Sequence, residues 1–159
     1  MHRERVSDNV YWFQSEVYAQ VTAGAIAGPN WAVVVDTLAL PEETLEMRDY
    51  IENTVGVPVR YVINTHNHAD HSWGNCFFPG ATVIAHSLTR KALLEKGEIS
   101  LEAIKKQNAV FKQVKLVPPH LTFSDGSLTL RVGKKTLVLS PAPGHSVDEI
   151  GRASCREIV

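Results

Sequence analysis

Hydrophobic residues in the N-terminal quarter of the chain cluster in short stretches rich in β-branched and aromatic side chains. The stretches NVYWFQSEVY, VTAGAIAG and WAVVVDTL have the length and composition of strands. The sequence Gly28-Pro29-Asn30 is typical of a turn between the last two stretches. The pattern therefore predicts that this quarter of the chain forms adjacent strands.

Helical and extended patterns alternate in the rest of the chain. Apolar residues recur at three- and four-residue spacing after Pro41 until Gly56, which predicts an amphipathic helix. A second helical region extends from about Leu88 to Phe111 and is interrupted at Gly97. The remaining predicted strands are VPVRYVIN, ATVIAHS, LTFSDGSLTLRV and KTLVLSPA, and the last two form a hairpin around Gly133-Lys134. This alternation predicts an α/β layered fold.

Composition narrows the class of protein. The chain has 159 residues, 44% of them hydrophobic, as expected for about one globular domain. Its formal net charge of -1 offers no basic surface for nucleic acid or for an anionic membrane. It contains neither an apolar run long enough to span a membrane nor a signal-peptide core. We therefore expect a cytoplasmic protein whose partner is a small-molecule substrate.

The candidate chemistry lies in the segment INTHNHADHSWGN, directly after the predicted strand VPVRYVIN. In an extended segment, residues i and i+2 point the same way, so His66 and His68 can present both imidazoles to one metal ion. Asp70 and His71 follow one turn later and could hold a second cation. Imidazole and carboxylate ligands without a nearby thiolate suit zinc, iron or manganese.

A further histidine follows another hydrophobic strand, in the segment PAPGHSVDE. Gly144 leaves the backbone room to bring the ring of His145 close to another group. His145 is therefore a further candidate metal ligand.

Three motifs together resemble the metallo-β-lactamase superfamily: VVVDT, NTHNHADH and PGHS, in this order. The resemblance covers about residues 9–149 and implies a four-layer αββα sandwich with a metal site at one edge. It implies that His66, His68 and His145 bind one metal and that Asp70 and His71 bind a second. It also implies that Asp36, in VVVDT, supports the metal-binding loop.

The resemblance implies a dinuclear zinc hydrolase that cleaves ester-like, thioester or lactone bonds with a metal-bound hydroxide. Asp70 would be the catalytic carboxylate, which orients the water or accepts its proton. Two alternatives stay open: an iron-containing oxidoreductase of the same superfamily, and a metal-binding fragment without turnover. A β-lactamase is less favoured, because those enzymes are usually exported and the sequence contains no signal peptide.

The C-terminal residues depart from the resemblance. Members of the superfamily continue into a second half that supplies a bridging aspartate and a final histidine, whereas here PGHSVDEI is followed by GRASCREIV, which lacks strand alternation. Residues 150–157 match the translation of a common sequencing-adapter oligonucleotide. We interpret residues 1–149 as the N-terminal part of the domain and residues 150–159 as a non-native tail, and we expect GRASCREIV to be irregular and outside the core.

Overall fold

The larger sheet of the protein follows the order of the sequence. The computed structural model describes residues 1–151 and the backbone of residues 156 and 157. The first four strands of this seven-stranded sheet pair antiparallel, and the fourth to seventh pair parallel. The strands are β1 (His2–Ser7), β2 (Val10–Gln14), β3 (Thr22–Ala27), β4 (Ala32–Val35), β5 (Val59–Ile63), β6 (Thr82–His86) and β7 (Leu121–Phe123).

Helices occupy the connections between the parallel strands. α1 (Pro41–Asp49) continues as a π-helical turn (Tyr50–Val55) and ends at Gly56, whose φ of 85° favours glycine. Between β5 and β6 lie α2 (Ala69–Ser72) and a 3-10 turn (Trp73–Phe77). After β6, the chain forms α3 (Ser87–Ala92), a π-helical turn (Leu93–Gly97), α4 (Glu98–Gln107) and a 3-10 turn (Ala109–Gln113). The interruption predicted at Gly97 is therefore a change of helical winding and not the end of a helix.

A second, smaller sheet is built around one strand. Its members are β8 (Leu128–Val132), β9 (Lys135–Pro141), β10 (Ile150–Gly151) and β11 (Arg156–Glu157), and β9 pairs antiparallel with the other three. The hairpin predicted around Gly133-Lys134 is confirmed, because Val132 pairs with Lys135. The single strand predicted over LTFSDGSLTLRV is wrong. The chain leaves the first sheet after Phe123 and enters the second at Leu128.

The core has one part on each face of the larger sheet. On one face, Met47 of α1 and Ile51 of the following turn pack against Val34 and Val62. On the other face, Val33, Ile63 and Ile84 belong to the same buried cluster as residues of the second sheet. These inter-sheet partners are Val132, Leu137, Leu139 and Ile150. The mixed α/β layered fold predicted from the sequence is thus confirmed.

Two ends of the chain differ from the sequence-based expectation. β1 was not predicted, because its side chains are exposed and largely polar, as is usual for an edge strand. At the other end, Ile150 is only 5% exposed and packs between the sheets. The expectation of irregular structure is also wrong for Gly151 in β10 and for the backbone of β11. Residues 152–155 and 158–159 lie outside the described residues, and the non-native origin of the tail stays a prediction.

None of the helices in the described part of the chain is both long and apolar enough to cross a lipid bilayer.

Candidate metal centre

The candidate residues lie in loops that follow neighbouring strands. Asp36 comes directly after β4, and His66 comes shortly after β5, which is parallel to β4. The carboxyl ends of parallel strands share one edge of the sheet, where binding groups of α/β proteins are commonly placed. His145 reaches this edge from the loop between β9 and β10.

The structure brings the three predicted histidines together. His66 Nε2 lies 3.1 Å from His68 Nδ1, and His145 Nε2 lies 3.2 Å from the same His68 nitrogen. One ring nitrogen from each residue lies within 4.8 Å of the other two. The predicted convergence is confirmed as geometry. Metal ligation by these residues stays a prediction.

This nitrogen arrangement fits a divalent metal ion. Tetrahedral zinc with Zn–N bonds of about 2.0–2.1 Å places its ligand nitrogens about 3.3 Å apart. The two short nitrogen–nitrogen distances are close to that value. His66 is buried, whereas His68 and His145 are exposed, so the cluster opens to solvent on one side. The site can therefore hold a metal with a face that a substrate can reach.

Hydrogen bonds between distant segments bring His145 to the other two histidines. The backbone N–H of Ile150 donates to the Thr65 carbonyl at 2.8 Å. The amide of Asn67 donates to the Asp148 carboxylate at 2.9 Å. Within the loop, the backbone N–H of His145 donates to Glu149 Oε2 at 2.9 Å. Sequence reasoning did not identify Asn67 or Asp148; the only signal was their position beside the histidines.

Asp36 supports the histidine loop, as predicted. Its φ is 61°, in the left-handed region that aspartate tolerates better than most residues, and its side chain is almost fully buried. The carboxylate accepts hydrogen bonds from the Thr65 backbone N–H at 2.8 Å and from the Thr65 hydroxyl at 2.7 Å. It also lies 2.8 Å from His71 Nδ1. The end of β4 is thereby tied to both ends of the histidine string.

The hydroxyl of Thr65 determines which nitrogen of His66 carries the proton. A carboxylate can only accept, so the hydroxyl donates to Asp36, and its oxygen, 2.9 Å from His66 Nδ1, is left to accept the N–H of that ring. The Nε2 lone pair of His66 then faces His68 and His145. Such outer partners commonly orient metal-binding histidines. Sequence reasoning did not identify Thr65, although its hydroxyl directly precedes the first histidine.

Asp70 and His71 form a pair beside the cluster. Because Asp36 engages His71 Nδ1, the free nitrogen is Nε2, which lies 3.6 Å from Asp70 Oδ2. Among the described residues, the only group of three or more candidate metal ligands is the cluster of His66, His68 and His145. The predicted second-metal residues are therefore adjacent, but the described part of the chain adds no third ligand to them.

The pKa values of His66 and His71 are shifted in opposite directions by burial and by neighbouring charges. Burial, together with the neighbouring His71 and His68, lowers the pKa of His66. Burial also lowers the pKa of His71, but the hydrogen bond to Asp36 and the charges of Asp36, Asp70 and Glu149 outweigh it, so this pKa is raised. His66 thus favours the neutral form that binds a metal.

Comparison with known proteins identifies the family. A sequence profile of the metallo-beta-lactamase superfamily matches residues 18–153. The chain belongs to the metallo-beta-lactamase superfamily. The family membership predicted from VVVDT, NTHNHADH and PGHS is therefore confirmed.

Solved structures with the same fold include metallo-beta-lactamases from three bacteria, each of which matches 94% of this chain. The proteins from Hirschia baltica and Pontibacter korlensis have 20% and 22% sequence identity, and each gives a TM-score of 0.67. A metallo-beta-lactamase from Pseudomonas aeruginosa, solved in a mono-zinc form, has 18% identity and a TM-score of 0.65. The chain spans 64%, 64% and 62% of the lengths of these three proteins, respectively. At these identities, the likeness supports the metallo-beta-lactamase fold alone.

Proposed function

We propose that this protein is a metal-dependent hydrolase whose His66, His68 and His145 hold one divalent metal ion, which we take to be zinc. The convergence of their three ring nitrogens carries this proposal. Neutral imidazole nitrogens are borderline ligands that suit zinc, and the Thr65 hydroxyl leaves the Nε2 of His66 free to bind. The proposed substrates are small molecules with an ester, thioester or lactone bond.

When bound, a divalent metal lowers the pKa of a coordinated water to about 7, and it polarises a carbonyl group. The chain supplies a carboxylate beside this position. Asp70 is partly exposed, and its Oδ2 is held near His71 Nε2 and not in a buried hydrogen bond. Its proposed role is to orient the attacking water and to accept a proton from it.

A single metal ion is the stoichiometry that we propose for this chain. Asp70 and His71 provide two neighbouring ligand atoms, whereas stable zinc sites have three or four protein ligands. The mono-zinc form of the Pseudomonas aeruginosa protein is a precedent for one zinc on this fold. With one metal, the stabilisation of attacking and leaving oxygens by two ions is lost, so we expect slow turnover.

Zinc titration of the metal-free chain, in competition with a chromophoric chelator, tests the metal site. We expect one tightly bound equivalent. His68→Ala should weaken binding by at least about 100-fold, more than the loss of an outer-shell partner costs. His2→Ala is the matched control, because His2 packs against Trp12 on an edge strand, away from the cluster. Parent affinity in His68→Ala would refute the site.

Assays with ester, thioester and lactone substrates test the activity of the zinc-loaded chain. We expect slow cleavage that depends on zinc and is lost in His68→Ala. Two equivalents of tightly bound metal would contradict the single-metal proposal. Tight iron binding with oxygen consumption, and no cleavage of these bonds, would instead assign oxidoreductase chemistry.

A further inference from the structure

A small pocket opens beside His68, on the side of the cluster that faces the helices. Its volume is about 170 Å³, and it lies between α2 and the π-helical turn that joins α3 to α4. Ala69, Trp73 and Leu93 form an apolar part of its wall. Asn67 and His68 line the side next to the metal centre. A group bound in this pocket would therefore touch both the helical turn and a proposed metal ligand.

The size of the pocket limits what it can hold. A cavity of about 150 Å³ accommodates a benzene molecule, whereas sites for whole ligands measure about 300–1,000 Å³. The pocket therefore suits one short apolar arm of a substrate. The rest of that substrate would lie over the histidine cluster, with its reacting bond near His68.

Charge distinguishes this pocket from the rest of the centre. Among the described residues, Lys96 is the one charged residue that lines it. Beside His71, by contrast, the charged neighbours are the carboxylates of Asp36, Asp70 and Glu149. A substrate arm that carries a negative charge is therefore repelled on the carboxylate side and attracted on the side of Lys96.

The ammonium group of Lys96 is available for such a contact. Its side chain is exposed, and among the described residues no carboxylate lies within ion-pair distance of it. Two other lysines of the same helical segment are already engaged, since Lys91 lies 3.9 Å from Glu95 and Lys105 lies 2.8 Å from Glu102.

We propose that this pocket binds a short apolar arm of the substrate that ends in a carboxylate, and that Lys96 is the residue that selects for it. The inference rests on the proposed function, because it places the reacting bond at the histidine cluster. It narrows the substrate class to ester-like compounds with an anionic end a few carbon atoms from the reacting bond.

Thiol probes test the inference by binding alone. The probes are two matched pairs, 3-mercaptopropionate with its neutral amide and 6-mercaptohexanoate with its neutral amide, and affinity for the zinc-loaded full chain is measured by calorimetry. The sulfur of each probe is a zinc ligand, and the far end of the probe reports on the pocket. We expect at least one carboxylate to bind about threefold more tightly than its amide, the strength of an exposed ion pair. Added salt should reduce the preference.

Two variants attribute the preference to one residue. Lys96→Met keeps most of the side-chain volume and should abolish the preference, whereas Lys106→Met, on the same helical segment but outside the pocket, should retain it. Equal binding of acid and amide by the parent chain, or an unchanged preference in Lys96→Met, would overturn the inference and leave the metal site standing. Failure of the chain to take up zinc or any of the thiols would overturn the proposed function as well.

Discussion

The side-chain amide of Asn67 donates a hydrogen bond to the Asp148 carboxylate at 2.9 Å, across a sequence separation of 81 residues. Asn67 stands between His66 and His68, and Asp148 stands shortly after His145. The same carboxylate oxygen accepts the Thr89 hydroxyl of α3 at 2.8 Å. One buried carboxylate therefore holds both histidine loops and a helix in register.

Replacement of Asp148 should separate the two loops. Asp148→Ala removes the acceptor shared by Asn67 and Thr89, so His145 loses its fixed position relative to His66 and His68. We expect zinc affinity, measured by chelator competition, to fall about 10- to 100-fold, the usual cost of losing an outer-shell partner. Asp125→Ala, in the connection between β7 and β8, is the control and should bind zinc like the parent. Parent affinity in Asp148→Ala would show that the loops are held by other contacts.

The role of the Thr65 hydroxyl can be tested with two substitutions. One keeps the branched shape of the side chain, and the other keeps its hydroxyl group. Thr65→Val keeps the branched shape but cannot accept the proton of His66 Nδ1, so the ring loses its fixed tautomer. We expect zinc affinity to fall about tenfold in Thr65→Val and to recover in Thr65→Ser. Nitrogen NMR of His66 should find the proton on Nδ1 in the metal-free parent. A proton on Nε2 in the parent, or equal affinity in all three proteins, would contradict the assignment.

The sequence could indicate the candidate histidines because the signal at each of them is local. His66 and His68 alternate along an extended segment after a hydrophobic strand, and His145 follows a second strand. The partners of these residues are not local. The roles of Thr65 and Asp148 depend on contacts with Asp36 and Asn67, and these contacts exist only after distant strands have been assembled.

The errors in the predicted fold have the same kind of origin. The stretch LTFSDGSLTLRV was read as one strand because both of its halves carry extended, apolar patterns. Such a pattern does not show that Phe123 belongs to the first sheet and Leu128 to the second. β1 escaped prediction for the opposite reason, since an exposed edge strand needs no hydrophobic alternation.

Gly74 should tolerate no larger side chain. A Cβ atom at this position would lie 2.4 Å from the Thr37 carbonyl oxygen, and the Thr37 backbone N–H and hydroxyl both bind the His71 carbonyl. We expect Gly74→Ala to lower the free energy of unfolding by about 1–3 kcal/mol, as overpacking does, in urea denaturation. Gly24→Ala is the control, because its nearest contact of 3.6 Å is ordinary. Equal destabilisation of both variants would show that the clash is relieved by movement of Thr37.

The ion pair between Asp36 and His71 should make the stability of the metal-free protein depend on pH. Burial lowers the pKa of His71, but the hydrogen bond to Asp36 and the nearby negative charges raise it above its ordinary value. Protonated His71 therefore stabilises the fold below the unfolded pKa of about 6.5, and this contribution is lost as the pH rises through the folded pKa. The difference in unfolding free energy between the parent and His71→Gln, measured with chelator present, should fall from about pH 5.5 to about pH 8.5. A constant or rising difference would contradict the raised pKa.

Ile150 tests the proposed boundary between the domain and the tail, because it is the first residue of the segment interpreted as non-native. Its side chain packs between the two sheets, and its backbone N–H donates to the Thr65 backbone carbonyl at 2.8 Å. Ile150→Ala should cost about 2–5 kcal/mol of unfolding free energy, as for other buried isoleucines. Val147→Ala is the control, because Val147 is 77% exposed. Urea denaturation that gives Ile150→Ala the same stability as Val147→Ala would place residue 150 outside the core and support the boundary at residue 149.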